Sequence, residues 1–164
     1  MTTERAFHRA GAVMAFLAAV LLAGCDAAIN QPAFQLTDLT GAEFGRGFQL
    51  TDHNGKPRTL DDFKGKVVAI FFGYTYCPDV CPTTMGELAM VMNELGKDAD
   101  RVQVLFITVD PERDTPEAMA SYIASFDPRF MALTGTPEQV KGAEQSYKVY
   151  AAKEPVKDAS GTPT

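Results

Sequence analysis

The feature that most constrains this chain is the unbroken apolar run Val67 to Gly73, VVAIFFG. An alternating segment could leave one face to water, but a continuous run must be covered on both sides, as a strand inside a layered sheet is. Downstream of it the sequence alternates between helical and strand periodicity. Met85, Leu88, Met92 and Leu95 share one helical face, and Val102 to Val109 (VQVLFITV) reads as a second strand. Met119, Tyr122, Ile123 and Phe126 form a second helical stripe, Phe130 to Leu133 a short strand, and Val140, Ala143 and Tyr147 a third helix. Lys148 to Ala152 (KVYAA) reads as the start of another extended piece. Strands alternating with helices predict right-handed crossovers and a mainly parallel α/β sheet. Upstream, GFQLTDHNGKPRTL holds two strand-like pieces around Asn54-Gly55, a hairpin signal.

A length of 164 residues suits one domain with short appendages. The formal charge of −6 and pI of about 4.9 argue against nucleic acid as a partner. The N-terminus does not belong to the fold. A short, net basic MTTERAFHR precedes the apolar run AGAVMAFLAAVLLA, too short for a spanning helix and typical of an export signal. It ends in Leu22-Ala23-Gly24-Cys25, which resembles the bacterial lipobox, so residues 1–24 read as a lipoprotein signal and Cys25 as the lipidated residue. The alternative is a single N-terminal transmembrane anchor. Asp26 resembles the signal that keeps such lipoproteins at the inner membrane, which places the domain on the periplasmic face of a bacterial inner membrane. Residues 25–45 then serve as lipid attachment and tether, and the folded domain occupies 46–164. The turn-rich KEPVKDASGTPT leaves little apolar sequence to complete a sheet, so the final strands and helix are expected to be missing.

With Cys25 assigned to lipid, Cys77 and Cys81 are the remaining thiols, and in an oxidising compartment such a pair invites a disulfide. Cys81-Pro82-Thr83 has the layout of the helix starts Thr115-Pro116-Glu117 and Thr136-Pro137-Glu138, with cysteine in the capping place. Its sulfur is therefore expected to face the free N–H groups of a helix start and to ionise easily. Cys77 lies four residues earlier, just past the VVAIFFG strand. A loop with three intervening residues can hold two sulfurs round a metal or let them bond. Two soft thiolates suit a copper(I) ion that must later leave; a structural zinc site or iron–sulfur cluster wants about four protein ligands.

YCPDVCP, preceded by FKGKVVAIFFGYT and followed by VDPERDTPE, closely resembles the Sco/SenC family, over about Gly47 to Lys153. The resemblance implies a thioredoxin-like fold with an N-terminal hairpin. It also implies a membrane-tethered copper-binding protein that helps assemble the CuA centre of cytochrome c oxidase. The implied partners are the CuA-bearing subunit, whose disulfide family members also reduce, and other copper chaperones. Cys77 and Cys81 match the family's two sulfur ligands. The family's histidine ligand lies in a segment that would follow Thr164, while His8 is in the signal and His53 reads as a solvated turn residue; if the chain ends at Thr164, copper(II) is expected to bind poorly.

Asp110 and Arg113 stand at the sheet edge where the cysteine loop begins and either tune the thiols or only turn the chain. Met85 reads as core rather than a soft donor, Asp79 as solvated, and Phe71, Phe72, Tyr74 and Tyr76 as walls of the loop. The competing functional reading is a thiol–disulfide oxidoreductase or thiol peroxidase with Cys77 and Cys81 as attacking and resolving residues. Against the peroxidase, Tyr74 stands where that signature has a threonine.

Overall fold

The computed structural model describes residues 37 and 39–153, and the chain divides into two units, 1–40 and 41–164. All the described strands and helices belong to the second unit. The proposed signal, Cys25 and the final segment from 154 lie outside the described residues.

Five strands form one sheet in the order β2-β1-β5-β4-β3. A hairpin opens it, β1 (Gln49–Asp52) and β2 (Pro57–Thr59), antiparallel and turning through Gly55 at φ 79°. That positive φ is why glycine follows Asn54. β3 (Val67–Gly73), β4 (Val102–Thr108) and β5 (Met131–Thr134) run parallel, and β1 joins antiparallel to β5. Helix α1 (Val80–Glu94) links β3 to β4, α2 (Pro116–Ala124) links β4 to β5, and α3 (Pro137–Tyr147) follows β5.

β4 organises the core because its side chains alternate between two buried faces. Val104 and Phe106 pack with Met85 and Met92 of α1 and Met119 and Ile123 of α2. Leu105 and Ile107 point the other way, into Phe48, Leu50, Leu133 and, from α3, Val140 and Ala143. α1 and α2 pack on one face of the sheet and α3 on the other, as successive crossovers of one hand would place them. β3 sits at a sheet edge and most of its residues are half-buried.

The two threonine-capped helices start as their sequences predict. Thr115 and Thr136 accept hydrogen bonds from Ala118 N and Gln139 N at 3.3 Å, with proline in the first turn of each. Three expectations differ. Helix α1 begins at Val80 with Asp79 as its cap, so Cys81 lies inside the first turn. Proline is tolerated throughout that turn, where its missing N–H has no helical partner anyway, so Pro82 does not mark the cap. Leu95 falls past the end of α1 and is exposed instead of joining the apolar face. KVYAA forms no strand, because Lys148 takes a left-handed conformation (φ 58°) that ends α3 in a turn.

Candidate metal and redox site

Because β3 and β4 are parallel neighbours, the segments beyond their carboxyl ends meet at one edge of the sheet. The cysteine loop leaves β3 there and the segment Val109–Thr115 leaves β4. Gly73 closes β3 by accepting a hydrogen bond from Val109 N at 2.9 Å. A β-carbon on Gly73 would lie 3.0 Å from Cys81 Sγ and 3.0 Å from Phe106 Cε2, so the glycine leaves the room that the sulfur fills. The chain then turns through Tyr74 to Cys77, whose N–H donates to Tyr74 O at 3.2 Å.

Within this turn the two thiols differ. Cys81 is buried, 5% exposed, against the core beneath α1, whereas Cys77 is half-exposed at the rim. Cys81 N donates to Cys77 Sγ at 3.4 Å. Cys77, not Cys81, thus occupies the place at the helix start that faces free N–H groups. Burial works to raise the Cys77 thiol. The backbone N–H of Asp79, the Cys81 thiol and N–H, and the Tyr74 phenol outweigh it and hold Cys77 below the ordinary thiol value. Burial, then the hydrogen bond with Cys77, push Cys81 up to about 11. The expectation of an easily ionised Cys81 is therefore reversed. The helix start activates the residue outside the helix, and burial keeps the one inside protonated.

Asp110 and Arg113 form an ion pair at this edge, and Lys153 Nζ stands 3.1 Å from Asp110 Oδ1. Asp110 also accepts Arg113 N and Asp114 N on its main-chain carbonyl, so it shapes the turn after β4. The Arg113 guanidinium lies 5.2 Å from the centre of the Tyr76 ring, which brings it beside the loop. Burial opposes ionisation of Asp110, but bonds and charge from Arg113 and Lys153 prevail and hold its carboxyl below the usual range. Met85 is fully buried in the core cluster under α1, and Asp79 is exposed.

A residue that sequence reasoning passed over lies behind the loop. Asp114 is 1% exposed and accepts Thr75 Oγ1 and Thr108 Oγ1, each at 2.6 Å, with Thr75 N at 3.1 Å. In the sequence it is hidden in RDTPE, beside a good N-cap. The signal that could have found it is the pair of threonines at the ends of two adjacent elements.

His53 lies in the hairpin turn, but it is half-buried and its ring is not free in solvent. Its Nδ1 accepts Ala132 N at 3.3 Å, and its N–H donates to Ala132 O at 3.0 Å. β1 runs antiparallel to β5, so this contact falls at the start of β5, the sheet end opposite the cysteine loop. No group of three or more His, Cys, Asp or Glu side chains suited to a metal occurs among the described residues.

With this geometry in hand, the comparisons are specific. The SCO1/SenC family model matches residues 36–163. A mitochondrial SCO2 homologue of Danio rerio is 47% identical over 130 residues, which are 77% of this chain and 46% of that protein. The human mitochondrial SCO2 homologue is 47% identical over 115 residues, 68% of this chain and 43% of the relative. The chain thus spans less than half the length of these relatives. Copper-bound Bradyrhizobium japonicum ScoI superposes with a TM-score of 0.67 at 53% identity, covering 71% of this chain and 74% of that one. Copper-bound yeast Sco1 does so with a TM-score of 0.65 at 36% identity, covering 71% and 65%. The five-stranded α/β fold of this chain is the thioredoxin-like fold of these structures.

Proposed function

The chain belongs to the SCO1/SenC family, and from that premise we propose that it carries copper(I) between Cys77 and Cys81 for assembly of the CuA site of cytochrome c oxidase. The observation that carries this reading is the sulfur pair itself, two free thiols linked through the Cys81 N to Cys77 Sγ bond at 3.4 Å. Thiolates are soft donors and select cuprous ion. A site with two protein donors, one of them at the rim, also leaves an incoming ligand room to displace them. Relatives solved with copper bound support copper as the cargo. The recipient is the CuA-bearing subunit, with other copper chaperones as donors.

The same dithiol supports reduction of the recipient's disulfide. The Cys77 thiolate attacks one sulfur of that disulfide, forming a mixed disulfide and releasing one partner thiol. The Cys81 thiol, losing its proton, then attacks Cys77 Sγ and releases the second. The partner gains two electrons and the Cys77–Cys81 pair is left oxidised. The unequal thiols favour this order.

Tethering at the periplasmic face of an inner membrane through lipidated Cys25 completes the proposal. Among the described residues no helix is long and apolar enough to cross a membrane. A solved relative from Bacillus anthracis is described as a SCO1/SenC family lipoprotein. The test is competition for copper(I) between the reduced protein and a chromogenic chelator. One equivalent should be withdrawn by the native chain and little by Cys77→Ser or Cys81→Ser. Equal competition by the native chain and the double serine variant overturns the reading.

A further inference from the structure

We propose that Asp114 is a positioning residue for the sulfur pair, clamping Thr75 of the cysteine loop to Thr108 of β4. The inference builds on the proposed site but concerns how this chain shapes it. Three donors converge on the carboxylate, and two of them, the backbone N–H and the hydroxyl of Thr75, come from a residue two places before Cys77. The third, Thr108 Oγ1 at 2.6 Å, comes from the last residue of β4. Thr108 Oγ1 in turn accepts Asp110 N at 2.9 Å, and Asp114 N donates to Asp110 O at 3.0 Å. The turn after β4 and the loop after β3 are thereby locked through one buried anion. Charge-assisted bonds of this kind are shorter and stronger than neutral ones.

The alternative anchors for the loop are weak. Among residues 74–79, the main-chain N–H groups that donate to oxygen are Cys77 N, in the 3.2 Å turn to Tyr74 O, and Thr75 N, to Asp114. Tyr76, Pro78 and Asp79 are exposed, and the Tyr76 ring meets only the Arg113 guanidinium, 5.2 Å from its centre. Without the clamp, Cys77 is held by bonds to its sulfur, from Cys81 N at 3.4 Å, Asp79 N–H, the Cys81 thiol and the Tyr74 phenol. An ordered loop raises the effective concentration of one thiol at the other. Loosening it should therefore make the disulfide harder to form.

The experiment measures the midpoint potential of the Cys77–Cys81 couple without copper. Thr75→Val keeps the shape and removes the hydroxyl; Thr75→Ser keeps the hydroxyl; Thr136→Val removes a side-chain cap from distant α3 as a control for general destabilisation. Thr75→Val should lower the equilibrium constant for disulfide formation about tenfold, a rise of about 30 mV for a two-electron couple. Thr75→Ser should stay within about twofold of the native value and Thr136→Val should not move it. An unshifted Thr75→Val, a serine variant that shifts as far as valine, or an equal shift in Thr136→Val each overturns the proposal. Asp114→Asn, if it folds, should shift at least as far as Thr75→Val. The copper reading is tested separately by chelator competition on the native chain. A native chain that ignores copper(I) while Thr75→Val still shifts retains the clamp and removes the cargo.

Discussion

Two buried carboxylates hold opposite ends of this sheet, and they do so differently. Asp52, fully buried, gathers Asn54 N at 2.9 Å, Lys56 N at 3.0 Å and Arg58 Nε at 2.9 Å. Every partner lies within the next six residues, so the hairpin closes on itself. Asp114 reaches back 39 residues to Thr75 and six to Thr108, joining two elements that meet only when the fold is complete. A local carboxylate stabilises an element; a long-range one sets the geometry between elements. Cys77 and Cys81 sit at the second kind of end.

The largest contrast should be in thiol chemistry. At neutral pH Cys77 should be alkylated by iodoacetamide on the order of a hundredfold faster than Cys81, since its thiolate is favoured and its neighbour is buried with a thiol pushed up to about 11. Mass spectrometry of partly labelled protein gives the order, and equal rates would break the asymmetry. Next is the hairpin. Asp52→Ala leaves two N–H groups and Arg58 without their acceptor and should cost about 3 kcal/mol in urea unfolding, with little change at the sulfurs. Burial opposes ionisation of Asp52, but bonds from Lys56, Arg58 and Asn54 hold its carboxyl below the ordinary 3.8. Its contribution is therefore complete above about pH 4 and fades as pH falls through the depressed native value. The gap between native chain and variant should narrow in acid and stay constant towards neutrality.

Gly73→Ala perturbs the sulfur end. A methyl group 2.9 Å from Phe71 Cε1 and 3.0 Å from both Cys81 Sγ and Phe106 Cε2 must displace the rings and the sulfur, for about 2 kcal/mol and faster Cys81 alkylation. A variant with native stability and a protected Cys81 would show that the space is not tight. Smallest is His53→Ala, which removes the acceptor for Ala132 N and should cost about 1 kcal/mol. It should leave copper(I) uptake unchanged; a loss would bring the two ends of the sheet together.

The framework was legible where local chemistry decides it. VVAIFFG, the Asn54-Gly55 turn and the two Thr-Pro-Glu starts became β3, the hairpin and the capped helices, because periodicity, positive φ and capping act within a few residues. The spacing of Cys77 and Cys81 singled out the pair as a candidate, but the order of their acidities was not legible. That order depends on where α1 begins and on how deeply Cys81 sinks against Phe106 and Gly73. Asp114 was hidden for a related reason, since its partners lie on other elements. The turn at His53 was legible but its bond to Ala132 was not, because it depends on the hairpin folding back onto β5.

The copper reading stands or falls on one cuprous ion being shared by the sulfurs of Cys77 and Cys81. Copper K-edge absorption spectroscopy of the reduced protein loaded with one equivalent tests it directly. The expected spectrum has a copper(I) edge and two sulfur scatterers as nearest neighbours, both lost in Cys77→Ser and Cys81→Ser alike. Nearest neighbours of nitrogen and oxygen, or a sulfur signal that survives both substitutions, would contradict it.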